Sequence, residues 1–168
     1  LAAQFEENLL EFVHRGKGLM VLHGAINMLN NSERISKMIG GSFAYHPKFQ
    51  TITLKLVDSG HPMLKAFDGK EVVYDDEPYI LNKAYKDFNF QPLLEMDTEK
   101  LIKIKPSVKE IPRYMAWIKK HGKGRVFYSA PGHSEKTYER ADFLQFYLDG
   151  LQYTLGDLKC DDTPLKTQ

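Results

Sequence analysis

Apolar residues recur at helical spacing near both ends of the chain. The first stretch, residues 1–14, has the intervals of an amphipathic helix, with apolar side chains at Ala2, Phe5, Leu9, Phe12 and Val13. A second stretch, residues 141–155, repeats the pattern with Phe143, Phe146, Tyr147 and Leu151. Gly156 follows it, as expected where a helix ends. We therefore predict two long helices, one at each end of a folded unit.

Short apolar runs between these helices predict β-strands. Residues 19–22 are wholly apolar between Gly18 and Gly24, which is typical of a parallel strand buried on both faces. Residues 51–57 alternate in polarity and predict a second strand. Further elements are predicted as strands at 71–74 and 92–96, a hairpin of 113–118 and 125–130, short helices at 30–37 and near 63–67, and a loop over 82–91. This mixture predicts an α/β domain with a doubly wound sheet.

Composition limits the classes of partner. A chain of 168 residues has room for one domain, which we assign to residues 1–158, followed by a polar C-terminal tail at 159–168. The formal net charge of +1 argues against nucleic acid or a membrane surface as a partner. The single cysteine, Cys160, excludes an internal disulfide. Composition leaves open whether the chain forms a homo-oligomer and whether it works in the cytoplasm or the periplasm.

Two histidines follow predicted strands. His23 comes directly after the first apolar run, and His133 follows the second strand of the hairpin. Ligands of an open α/β sheet bind at the carboxyl ends of its strands, so both imidazoles are expected in one crevice. The adjacent Gly24 and Gly132 let a ligand approach the backbone, and Ser134 adds a hydroxyl. We predict catalytic roles for the two histidines and substrate contacts for the other three residues.

An acidic segment supplies a carboxylate and a phenol. Glu77 and Tyr79 flank Pro78 on a constrained loop. A pairing of His with Glu would orient an imidazole and tune it for acid–base chemistry near neutral pH. The alternative for the three consecutive acids, residues 75–77, is a solvated loop without function.

The same side chains could instead bind a metal. His23, His46, Glu77 and His133 carry donor atoms that divalent metal ions accept. They lie far apart in the sequence and form no compact ligand motif, so acid–base chemistry and a metal site both stay open and no cofactor is established. The sequence contains no Gly-x-Ser-x-Gly elbow, no phosphate-binding Gly-rich loop with Lys and no Gly-x-Gly-x-x-Gly fingerprint.

Four segments, which make up three successive motifs, resemble the ThuA-like (trehalose utilisation) family. Residues 16–25 (GKGLMVLHGA) are similar to its glycine-rich strand and His-Gly-Ala turn. His61 and Pro62, followed by residues 76–79 (DEPY), resemble its His-Pro and Asp-Glu-x-Tyr segments. Residues 124–134 (GRVFYSAPGHS) resemble its Gly-Arg-Val-Phe strand and Gly-His-Ser turn. The resemblance runs from about residue 4 to residue 157.

The resemblance implies a class I glutamine-amidotransferase-like fold, which is a flavodoxin-like three-layer α/β/α sandwich. His23 stands at the turn where amidotransferases hold their nucleophilic cysteine, so hydrolysis of glutamine is not expected. The family implies a small-molecule carbohydrate as partner, a disaccharide or keto-sugar of the trehalose type. We therefore expect a hydrolase or isomerase that uses His23, His133 and Glu77, with Tyr79 contacting the sugar. The alternative is a non-catalytic sugar-binding or interaction domain on the same scaffold.

Two features depart from the family pattern. Family members usually begin with further βα units, so we expect this chain to lack the N-terminal units and part of the crevice wall. Pro78 replaces the bulky residue often found between Glu and Tyr, and this substitution alters the contacts expected of the loop.

Overall fold

The computed structural model describes residues 2–165, which form helices and strands joined by short 3-10 turns. The helices are α1 (Ala2–His14), α2 (Glu33–Ile39), α3 (Glu135–Glu139) and α4 (Ala141–Leu155). The strands are β1 (Gly18–Leu22), β2 (Ser42–Tyr45), β3 (Gln50–Leu56), β4 (Val72–Asp76), β5 (Ile80–Asn82), β6 (Gln91–Met96), β7 (Tyr114–His121) and β8 (Gly124–Ser129). None of the helices within these residues is both long and apolar enough to cross a membrane. The first residue of the predicted domain and the last three of the predicted tail lie outside the described residues.

Six strands form one sheet in the order β1-β8-β7-β6-β3-β4. β1 and β8 run parallel, whereas the other neighbours in this sheet are antiparallel, and β2 pairs separately with β5. The expectation of a parallel sheet is therefore wrong outside β1 and β8. The tight turn between His121 and Gly124 shows why, since strands joined so closely must run in opposite directions. The fold is mixed α/β with a curled, mostly antiparallel sheet.

Helices cover both faces of the sheet. Phe127 of β8 faces α4, where its ring lies 5.3 Å from that of Phe146. Trp117 of β7 stands opposite Tyr128 in the register, on the other face, and its indole N–H donates to the carbonyl of Ile39 at the end of α2 over 2.8 Å. The core therefore has two halves, separated by the sheet.

The curl of the sheet brings its two edge strands towards each other. Their side chains meet the same helix, because Phe143 of α4 contacts Tyr74 of β4 at 5.2 Å between rings while α4 also packs on β1 and β8. The pairing directions make β1, β8 and β4 run the same way along the sheet. Their carboxyl ends consequently lie on one side of the molecule.

Most predicted elements are present with shifted bounds. α1 and α4 agree with the two predicted helices, and Gly156 ends α4 in a left-handed conformation with φ of 91°. The helix predicted at 30–37 begins later, because Ser32 caps it by accepting from the backbone N–H of Ile35. The structure also confirms strands near the predicted positions for β1, β3, β4 and β6 and the hairpin of β7 and β8.

The sequence patterns did not predict the shortest strands. β2 has four residues and β5 has three, which is too few for a periodicity to be recognised. The predicted loop over 82–91 contains the end of β5, the start of β6 and a 3-10 turn, Lys83–Asp87. The helix predicted near 63–67 is a 3-10 turn, Pro62–Phe67.

The polar C-terminal segment lies against the domain. Cys160 packs on the core, and the backbone N–H of Leu165 donates to the carbonyl of Phe90 over 3.0 Å. The hydroxyl of Tyr153 donates to the carboxylate of Asp162 over 3.1 Å. These contacts hold the tail up to residue 165 on the surface of the domain.

One lysine is buried beside the sheet. Lys119 of β7 is 4% exposed, and its ammonium group donates to the carbonyl of Lys37 over 2.6 Å. Burial lowers the pKa of Lys119 from 10.5 to about 8, and the charge of Asp87 opposes this shift. The folded protein therefore holds this proton less tightly than the unfolded chain does.

We expect the free energy of unfolding of the wild type to rise between pH 8 and 10 because of Lys119, and we expect the Lys119→Met substitution to remove this contribution. Between pH 8 and 10 the unfolded wild type keeps a proton that the folded state has largely lost, so this group raises the free energy of unfolding by about 2 kcal/mol. Urea denaturation at several pH values in this range gives the free energy of unfolding of both proteins. Other titrating groups contribute equally to the two proteins and cancel in the difference. An identical pH dependence in the two proteins would contradict the prediction.

Candidate active site

His23 follows β1 directly and starts a 3-10 turn, His23–Asn27. Its φ of 45° lies in the left-handed region that residues other than glycine seldom adopt. Nδ1 lies 2.7 Å from the carbonyl oxygen of Ala130, which can only accept, so the proton of the neutral ring is on Nδ1. Nε2 then carries a lone pair, and the hydroxyl of Tyr79 donates to it over 3.0 Å. The backbone after β8 thus sets the tautomer and direction of His23.

Glu77 lies at the centre of three imidazoles. Its Oε2 is 3.4 Å from Nε2 of His23 and 3.3 Å from Nδ1 of His133. Its Oε1 is 3.5 Å from Nε2 of His46. The structure therefore brings together the four residues that the sequence offered as acid–base or metal-binding groups.

The cluster is sheltered on one side and open on the other. The side chains of His23 and Glu77 are only 13% and 15% exposed, whereas that of His133 is 50% exposed. Phe49 is also half exposed, and its ring lies 6.0 Å from that of His133. A ligand would therefore reach the cluster from the side of His133 and Phe49.

Asp76 positions this cluster, although its side chain does not belong to it. The carboxylate is fully buried and accepts hydrogen bonds from the backbone N–H groups of Glu77 at 2.8 Å, Gly132 at 2.9 Å and His133 at 3.3 Å. These bonds join the end of β4 to the loop after β8. The sequence reading of residues 75–77 as a solvated acidic loop is wrong for Asp76. A usable signal was present, because Val72, Tyr74 and Asp76 alternate and share the buried face of β4.

The backbone conformation of Gly132 favours glycine. Its φ of 137° is one that residues with a side chain rarely adopt, and an added Cβ would also require the hydroxyl of Tyr138, 2.7 Å away, to move. Its role in the structure is to donate its N–H to Asp76 while the chain turns towards His133.

Tyr79 is held as a proton donor. Burial raises the pKa of Tyr79 to about 12, and the negative charges of Glu77 and Asp76 act in the same direction. The phenol therefore stays protonated at neutral pH and keeps donating to Nε2 of His23. Its ring packs against those of His23 at 4.4 Å and Phe43 at 4.7 Å.

The remaining predicted residues border the cluster in different ways. A Cβ added to Gly24 would lie 3.7 Å from the hydroxyl of Tyr79, so this glycine adjoins the phenol. Ser134 caps α3, because its hydroxyl accepts from the backbone N–H of Lys136 over 3.3 Å. Burial raises the pKa of the Cys160 thiol to about 11, with smaller contributions from Asp162 and Asp161, so the thiol stays protonated at neutral pH.

A surface cavity of about 330 Å³ lies away from the cluster. It is lined mainly by α1, α2 and the end of β7, including Glu11, Arg34 and His121. Its lining contains none of the converging histidines or Glu77. We place the candidate site at the cluster because its polar groups converge on one point, which the cavity lacks.

Comparison with solved structures supports the fold. A putative ThuA-like protein from Bacteroides uniformis ATCC 8492 matches with a TM-score of 0.73 at 16% identity, over 92% of this chain and 64% of that chain. One from Parabacteroides merdae ATCC 43184 matches with a TM-score of 0.68 at 14% identity, over 96% and 67%. The present chain thus spans about two thirds of each. A β-galactosidase from Bacillus circulans sp. alkalophilus matches with a TM-score of 0.59 at 15% identity, over 97% of this chain and 22% of that enzyme.

The fold and the site together define a mixed α/β protein with a histidine–carboxylate cluster at the carboxyl ends of its strands. A comparison with curated proteins finds no match. The sequence model of the family described as trehalose utilisation (ThuA) matches residues 1–154. The chain belongs to this family.

We expect Asp76→Asn to destabilise the protein by about 3 kcal/mol, because it removes charge-assisted hydrogen bonds and sets an amide against buried N–H groups. The matched control is Asp75→Asn, whose exposed carboxylate bonds only the hydroxyl of Thr51. This control should cost less than about 1 kcal/mol. Urea denaturation measures both, and equal losses would show that Asp76 has no special role.

Proposed function

We propose that this chain carries the active site of a carbohydrate-active enzyme that acts on a disaccharide or keto-sugar of the trehalose type. The family description points to carbohydrate metabolism. The observation on which the proposal depends is the convergence of His23 and His133 on one carboxylate oxygen of Glu77, with the hydroxyl of Tyr79 bonded to His23. The reaction we favour is acid–base chemistry, as hydrolysis or isomerisation.

The two imidazoles suit proton transfer because one carboxylate serves both. Once the substrate replaces His23 as the acceptor of the Tyr79 hydroxyl, the lone pair of Nε2 of His23 can act as a base. Oε2 of Glu77 lies 3.4 Å away, where it would stabilise the imidazolium that forms. His133 contacts the same oxygen from the solvent side. We assign the first proton transfer to His23 and the exchange of that proton with solvent to His133.

Tyr79 would supply the donor that such a reaction needs. Removal of a proton next to a sugar carbonyl leaves a negative oxygen, which a protonated phenol can stabilise. Because the pKa of Tyr79 is raised to about 12, the hydroxyl keeps its proton throughout the neutral range. Gly24 adjoins the phenol of Tyr79, and Gly132 adjoins His23. Ser134, which follows His133 in the sequence, caps α3 with its hydroxyl.

An exposed aromatic ring supports a sugar as the ligand. Phe49 is 50% exposed beside His133, and apolar C–H faces of a pyranose pack well on such a ring. The polar cluster would then meet the hydroxyl and carbonyl groups of the same sugar.

We also infer that this domain is a three-layer α/β/α sandwich of the class I glutamine-amidotransferase-like type, with a mostly antiparallel sheet in place of a flavodoxin-like parallel one. Helices on both faces of the sheet support this inference. In that arrangement His23 takes the place of the amidotransferase cysteine.

A sugar-binding domain without catalysis is the second candidate. The likeness to 22% of a β-galactosidase favours it, since the same fold there forms one part of a larger enzyme. Calorimetry with trehalose and its keto derivative, beside a turnover assay, separates the two functions. Binding without turnover in the wild type would favour the binding domain.

We expect His23→Ala and His133→Ala each to lower turnover at least about 100-fold, because acid–base groups contribute that much or more. The assay follows conversion of trehalose and its keto derivative by the full-length protein. His14→Ala is the matched control, since His14 ends α1 away from the cluster and packs on His121. Unchanged turnover and sugar binding in both active-site variants would refute the proposal.

A further inference from the structure

Three donor atoms of the cluster lie as close together as the ligands of one metal ion. Nε2 of His23, Nδ1 of His133 and a carboxylate oxygen of Glu77 are all within 4.8 Å of one another. The two nitrogens lie 3.4 and 3.3 Å from the same oxygen. A tetrahedral ion with bonds of about 2.0–2.2 Å keeps its ligand atoms about 3.3–3.5 Å apart, so these spacings match such an ion.

Hydrogen bonds orient two of the imidazoles around Glu77, those of the proposed ligand His23 and of the neighbouring His46. Nδ1 of His23 donates to the carbonyl of Ala130 at 2.7 Å, and Nδ1 of His46 donates to the carbonyl of Pro47 at 2.8 Å. Both neutral rings therefore present an Nε2 lone pair to the carboxylate of Glu77. A histidine whose other nitrogen is held by a backbone carbonyl is the usual form of a metal ligand.

With neutral rings, the lone pairs of two imidazoles face the negatively charged carboxylate of Glu77, which is unfavourable. When the rings are neutral, Nε2 of His23 and Nε2 of His46 face carboxylate oxygens at 3.4 and 3.5 Å with no proton between them. Two outcomes relieve this: protonation of the imidazoles or a bound cation. The two nitrogen–oxygen spacings of 3.4 and 3.3 Å, which match those around a tetrahedral ion, favour the cation.

We propose that His23, Glu77 and His133 bind one divalent transition-metal ion of the zinc type. Two nitrogens and one carboxylate oxygen suit Zn²⁺ and its neighbours better than Mg²⁺ or Ca²⁺, which prefer all-oxygen sites. The exposed side of His133 provides an entry path and leaves a fourth position for water or substrate. His46 lies outside the group of three and orients Glu77 through its other oxygen.

Tyr79 competes with the ion for one lone pair. Its hydroxyl now donates to Nε2 of His23, the atom that the ion would take. Binding therefore displaces this hydrogen bond and frees the phenol to donate elsewhere. This competition predicts that replacing Tyr79 does not weaken binding of the ion, whereas replacing its partner His23 does.

The inference shares its site with the proposed function but would replace its proton-transfer step. A bound ion would polarise a sugar carbonyl or activate a water molecule, and His23 and His133 would be ligands of the ion instead of acid–base groups. Binding of the ion is nevertheless a property that can be measured without any sugar.

The test is calorimetric titration of ZnCl₂ into the full-length protein after removal of metal with a chelator. We expect one equivalent to bind, and His23→Ala, Glu77→Gln and His133→Ala each to weaken binding at least about tenfold. Tyr79→Phe should bind Zn²⁺ as tightly as the wild type or more tightly. His14→Ala is the control, because His14 and His121 form a second imidazole pair without a converging carboxylate.

His133→Ala is the decisive variant, since its half-exposed side chain can be removed with little risk to folding, which circular dichroism checks. Absence of saturable Zn²⁺ binding, or equal binding by all variants, would overturn the inference. Sugar turnover without Zn²⁺ binding would overturn it and leave the proposed function standing. Zn²⁺ binding without sugar turnover or sugar binding would support it and count against the proposed function.

Discussion

The buried carboxylate of Asp76 is the interaction on which the candidate site depends. A charge removed from water is costly unless hydrogen bonds replace the lost solvation, and here three backbone N–H groups do so. Two of those groups belong to Glu77 and His133, whose side chains form the cluster. One desolvated group therefore fixes the backbone of two converging residues and joins the loop between β8 and α3 to the end of β4.

The curl of the sheet makes this contact available. β1 and β4 are the two edges of the six-stranded order, yet Glu77 after β4 meets His23 after β1 at 3.4 Å. α4 packs against both edge strands, β4 and β1, on one face of the sheet and so holds the edges towards each other. The site is thus a product of packing across the whole domain: neighbours in the cluster are 54 and 56 residues apart along the chain, from His23 to Glu77 and from Glu77 to His133.

Sequence reasoning found the side chains of the cluster but not the groups that support them. His23 and His133 were predicted to meet because both follow strands, and this argument succeeds since β1 and β8 are parallel and β4 runs the same way. It missed Asp76, since a row of three acids looks solvated unless the alternation of β4 is taken into account. It also missed Phe49, which belongs to no periodic pattern and becomes relevant only through its position beside His133.

Local pattern alone determined the long helices, most strand positions and the residue types of the cluster, because hydrophobic periodicity and capping act over a few residues. Family membership could also be recognised from three short motifs. Only the tertiary structure decided the antiparallel pairing, the burial of Asp76 and the tautomer of His23, because each depends on atoms distant in sequence. The carbonyl of Ala130 that holds Nδ1 of His23 lies 107 residues away. Long-range packing therefore sets the geometry of the site, whereas the sequence alone identified the side chains that form it.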